Sequence, residues 1–154
     1  MQTDLWNTAL AIYAQPRVEQ ACLELQNDGA DICLLLCALW LGRRGVTYDD
    51  QRAQELEALS EPWQTAVVSP LRQLRRAWRE GAARDADLHE VREQIKVLEL
   101  EAERRLLLRL QARTHTWPAV QATDLEQWMI RMLPGQAGAN YPAQQVLREA
   151  LAIA

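Results

Sequence analysis

A chain of 154 residues, 49% apolar and 25% charged, suits one globular domain with a substantial core. Its net charge of −4 and pI near 5.2 oppose the broadly basic surface that nucleic acids and anionic membranes favour. Three cysteines, an odd number, argue against a secreted disulfide framework, and Met1-Gln2-Thr3-Asp4 lacks the basic-then-apolar pattern of a signal peptide, so the expected compartment is the cytoplasm.

Leu5, Trp6, Ala9, Leu10 and Tyr13 recur at helical spacing and predict a first helix over about 4–14. Gln15-Pro16 ends it, and Pro16 suits the first position of a second helix over about 16–27, with Val18, Ala21, Cys22 and Leu25 inward. Asn27-Asp28-Gly29 closes that helix. Ten residues without a polar side chain follow, Ile32 to Leu41. A helix apolar on every side is enclosed by protein or lipid, and ten residues fall short of the roughly 20 that span a bilayer. The run therefore predicts the central helix of a helical core, over about 31–44, with Asp31 as its cap.

Thr47-Tyr48-Asp49-Asp50 opens a fourth helix, which carries acids in its first turn and ends near Ser60. Ser60-Glu61-Pro62 and Ser69-Pro70 read as further starts, giving a short helix over about 61–67 and a longer one over about 70–82. Asp87 with Glu90 has the form of a capping box and opens the longest element, about 87–113. There Leu88, Val91, Ile95, Leu98, Ala102, Leu106 and Leu110 form one stripe. Thr123 with Glu126 predicts a second capping box, and a last helix covers about 142–152. Six tryptophans are spread along the chain, each expected to anchor a helix in the core.

Chemistry is sparse. Cys33 and Cys37 share a helix face that Cys22 could approach, but three thiols without a second closely spaced pair read as core rather than as a zinc site. No Glu-x-x-His pair, glycine-rich phosphate loop or nucleophile elbow is present, so no catalytic residue, cofactor or metal site is predicted. Ser60 and Ser69 are the only serines, and both read as helix caps. The helix after Gly45 carries Asp49, Asp50, Glu55 and Glu57, which argues against a DNA reader. The concentrated feature is basic. Arg72, Arg75, Arg76 and Arg79 share a short segment, and residues 69–84 sum to +4 against −8 for the rest. This is the candidate patch for an anionic group or a partner. Asp31, with Trp6 and Tyr13, is the candidate mouth of a pocket.

Asp4-Leu5-Trp6, Ala9 to Tyr13, Pro16, Ala21-Cys22-Leu23, Gly29 to Ile32 and Leu34 to Leu41 together resemble a family of small all-helical proteobacterial proteins of unknown function. The resemblance implies a cytoplasmic bacterial helical protein and supplies no catalytic residues. The expected fold is a single all-α domain over 1–154, a bundle of about seven or eight helices around helix 31–44. The leading function is a non-enzymatic protein-interaction or regulatory module, with a protein partner or a homodimer formed through the long helix. The alternatives are a small anionic-ligand binder or enzyme with an inter-helix pocket near Arg72–Arg79, and an RNA or ribosome contact through the same patch. No membrane association is expected.

Overall fold

In the computed structural model, which describes residues 4–154, the apolar run lies inside helix α3 (Ile32–Arg43), and every residue from Ile32 to Gly42 is buried. Met1, Gln2 and Thr3, on which the reading of the N-terminus rests, lie outside the described residues. An apolar circumference leaves α3 no face for water, so other helices enclose it. These are α1 (Leu5–Tyr13), α2 (Val18–Asn27), α4 (Asp50–Trp63), the C-terminal half of α7 (Ala86–Thr114) and α8 (Leu125–Arg131). The last helix, α9 (Tyr141–Ile153), packs on α2 and α1. Among the described residues the only strand-type pairing is an isolated bridge between Val46 and Ala119, and the fold is all-α. No helix among them is long and apolar enough to cross a membrane.

α3 and α8 approach closely because Gly42 has no side chain; a Cβ there would lie 2.7 Å from Leu125 Cα. Gly45, at φ +78°, lets the chain turn back. Its carbonyl accepts the N–H groups of Val120 and Ala122, which straps the connection before α8 onto the end of α3. Trp128, fully buried, donates its ring N–H to the Val46 carbonyl at 3.0 Å.

Several expected boundaries move. α2 begins at Val18 rather than Pro16, because Arg17 takes a left-handed conformation at φ 70°. Ser60-Glu61-Pro62 does not start a helix. α4 runs through Pro62 to Trp63, and Gln64–Val68 continue as a π-helical turn into α5 (Ser69–Ala77). An α ladder would need Pro70 to donate to Ala66, which it cannot. The widened turn absorbs the missing donor, and Ser69 N–H reaches the Gln64 carbonyl five residues back. Neither serine caps a helix. Asp85 rather than Asp87 caps α7, accepting from the N–H groups of Asp87 and Leu88 at 3.0 and 3.3 Å. Asp124, not Thr123, precedes α8, and its carboxylate is spent on Tyr48 N–H at 2.8 Å.

α5, the one-turn α6 (Arg79–Ala82) and the N-terminal half of α7 fold against one another as an arm that leaves the body. No residue of α5 is buried, and Trp78, between α5 and α6, stands outside the core cluster, unlike the anchoring role expected of every tryptophan. The inward stripe of α7 also differs from the expected one. Arg92 and Glu99 take the places expected of Val91 and Leu98: Glu99 is 7% exposed, whereas Val91 and Leu98 are 45% and 52% exposed. The cause is electrostatic. α5 presents Arg72 and Arg75 to α7, and an acid one position further along the helix pairs with both.

Candidate functional site

Between arm and body lies an open cleft of about 1310 Å³. Arg76 and Arg79 from the α5–α6 side and Arg92 and Lys96 from α7 line the arm wall. Leu23, Gln26 and Asn27 of α2 line the body wall, and Glu57, Glu61 and Arg131 close one end. Arg76 reaches across to donate to the side-chain oxygen of Asn27 at 3.3 Å. Arg92 donates Nε–H to the Arg75 carbonyl at 2.8 Å, which ties α7 to α5. The π-helical turn borders the cleft through Gln64 and Thr65, and such turns recur at functional sites because they redirect side chains that an α-helix would space evenly.

The floor is a network of ions at the start of α3. Asp31 caps α3 by accepting Leu34 N–H at 3.1 Å, and it also accepts the Ser60 hydroxyl at 2.5 Å and the Gln64 amide at 3.0 Å. Glu99 accepts Arg75 Nε–H at 2.6 Å and Nη2–H at 3.2 Å. This fork holds the Arg75 guanidinium above its ordinary pKa. Arg72 stands between two acids, 3.4 Å from Glu99 and 3.7 Å from Glu103, without a hydrogen bond to either. Glu103 is therefore the less well compensated carboxylate. Burial, together with the neighbouring Glu99 carboxylate, pushes its pKa up to about 7.

Tyr13, Cys22 and Cys33 complete the lining near Glu103. Tyr13 and Cys22 are hydrogen-bond partners, and burial pushes the Cys22 thiol up to about 11 and the tyrosine hydroxyl well above its usual range. Burial likewise raises Cys33 and Cys37. All three thiols stay protonated at neutral pH, so they are weak nucleophiles and weak metal ligands. Among the described residues no group of His, Cys, Asp or Glu is arranged to hold a metal ion.

Arg72, Arg75, Arg76, Arg79, Asp31 and Tyr13, singled out from sequence, thus line one cleft. Trp6 does not. It lies two helical turns from Tyr13 on α1, about 10 Å away along the axis, and packs instead beneath the Arg104 guanidinium at 5.7 Å. Sequence reasoning missed Glu99, Glu103, Ser60, Gln64, Arg92 and Lys96. For Glu99 and Arg92 a signal existed, since both fall at helical spacing with Leu88, Ile95 and Ala102. A stripe counted by apolar residues alone passes over them.

These observations define a single all-α domain with a charged cleft between a helical arm and a helical body. The family model described as "Protein of unknown function (DUF2390)" matches residues 4–110, and the chain belongs to that family. The matched stretch contains α1 to α5, α6 and most of α7, and with them all of the cleft except the segment around Arg131 to Pro134. No curated protein and no solved structure matches the chain.

Proposed function

We propose that this protein is a non-enzymatic interaction module of the bacterial cytoplasm, which holds an acidic segment of a protein partner in the cleft between arm and body. The reading rests above all on one observation. Arg76, Arg79, Arg92 and Lys96 line one wall of an open cleft, and Arg79 makes no hydrogen bond or ion pair with any described residue. Size supports a macromolecular ligand, because the cleft of about 1310 Å³ exceeds the roughly 300–1,000 Å³ of ordinary small-molecule pockets. Leu23, Leu100 and Tyr13 add exposed apolar surface along the same cleft, where a partner's side chain could anchor. The contrast of charge adds selectivity. A +4 segment in a chain of net −4 attracts an acidic segment locally while the remaining surface repels polyanions.

A photo-crosslinking residue in place of Gln26, inside the cleft, tests this in cells of the source organism. Crosslinks to an acidic stretch of one protein are expected, and they should disappear when Arg76 and Arg79 are both replaced by Glu. Crosslinks unchanged by that charge reversal, or recovery of RNA in their place, would overturn the reading.

A further inference from the structure

Glu103 sits where charges from every surrounding element meet. Arg72 and Arg75 face it from α5, Glu99 from α7 itself, Asp31 from the cap of α3, Tyr13 from α1 and Cys33 from α3. Arg75 is committed to Glu99 through two hydrogen bonds. Asp31 is satisfied by Leu34, Ser60 and Gln64. Tyr13 and Cys33 are neutral. Of the charged groups in this set, Arg72 and Glu103 remain without a hydrogen bond, 3.7 Å apart, and both line the cleft. A guanidinium with free N–H groups beside an acid that is easily protonated is complementary to a second carboxylate. Two carboxyl groups in contact hold one proton between them, because both cannot be ionised at that separation.

We propose that Arg72 and Glu103 form an oxyanion subsite in the floor of the cleft, which takes one carboxylate of the partner's acidic segment together with one proton from solvent. The proton resides on Glu103, whose O–H donates to one oxygen of the incoming carboxylate. Arg72 donates an N–H to the other oxygen. Nothing else changes hands: the bound site holds one proton, which is drawn from solvent by the fraction of molecules in which Glu103 was ionised and is returned on release. The inference rests on the reading of the cleft given above, and it adds a pH dependence that a merely basic groove lacks. With Glu103 half-protonated near pH 7, the binding-competent fraction changes about tenfold between pH 6 and pH 8.

Isothermal titration of the full chain with an N-acetylated hexaglutamate peptide at pH 6, 7 and 8 tests it, since the acetyl cap removes the titrating amine and the carboxylates stay ionised throughout that range. The expected affinity is about tenfold weaker at pH 8 than at pH 6, with uptake of about half a proton per peptide at pH 7, read from buffers of different ionisation enthalpy. Glu103→Gln, which mimics the protonated acid, should bind equally well at pH 6 and pH 8. Proton uptake near zero in the wild-type protein overturns the subsite, and this readout does not depend on any variant folding. An unchanged pH slope in the Glu103→Gln protein also overturns it. These outcomes leave the cleft reading standing. Absence of peptide binding at every pH removes the cleft reading and the subsite with it.

Discussion

Replacing Glu99 with Ala removes the acid that joins α7 to α5. Its side chain is 9% exposed and takes Arg75 Nε–H at 2.6 Å, with Arg72 Nε 3.4 Å away. Deleting one partner of a buried pair costs about 3–5 kcal/mol, because the remaining charge stays desolvated. Two features hold the cost to the lower end here. The side chains of Arg72 and Arg75 keep 16% and 26% of their exposure, and Glu103 stands 3.7 Å from Arg72 as a substitute partner. The expected loss is about 3 kcal/mol, equivalent to about 6–12 °C in the melting temperature of a chain this size. Urea denaturation at pH 7, followed by circular dichroism, measures it. The Arg75→Ala variant completes a double-mutant cycle, whose coupling energy should fall at about 1–3 kcal/mol. A loss below about 1 kcal/mol for Glu99→Ala, with coupling near zero, would place the pair among ordinary surface ion pairs and refute the buried network.

The raised pKa of Glu103 also affects the unliganded protein. A folded pKa of about 7, against an ordinary 4.5, means that the folded state holds this proton more tightly than the unfolded one. The associated stability is fully present below about pH 4.5 and is lost as pH rises through about 7, on the order of 3 kcal/mol in total. The urea midpoint of the wild type should therefore fall between pH 5 and pH 8 while that of Glu103→Gln stays flatter, and parallel profiles would contradict this. Gly42→Ala places a methyl group against the backbone of α8 and should destabilise by about 1–3 kcal/mol through overpacking, which thermal melts detect. Ser60→Ala removes the hydroxyl that Asp31 accepts and should cost about 1–2 kcal/mol in the same melts.

The helical core was legible because α3 is apolar on all sides, a pattern that admits few structures. Its cap was legible for a similar reason, since an acid directly before an apolar run has backbone N–H groups within reach. The arm was harder to read. Pro62 and Pro70 look like two helix starts, yet the chain between them widens into a π turn instead of breaking, and this path brings Ser60 and Gln64 to Asp31, a pairing across about thirty residues that local sequence does not display. The inward face of α7 was misassigned by one position at Leu98, because the partner it meets is a pair of arginines and not an apolar helix. Hydrophobic periodicity reports burial driven by transfer from water and does not register burial driven by ion pairing. The four arginines were visible as a cluster. Only the tertiary structure divides them into Arg72 and Arg75, held in the floor by acids, and Arg76 and Arg79, turned toward the open cleft.

The most direct test is an amide and arginine side-chain NMR titration of the protein with hexaglutamate. Shift changes confined to the cleft, at Arg76, Arg79, Lys96, Asn27 and Leu23, and abolished by Arg76→Ala with Arg79→Ala at unchanged melting temperature, are the result expected. No shift changes, or changes centred on another face of the body and indifferent to those two arginines, would contradict the assignment of the cleft as the binding surface.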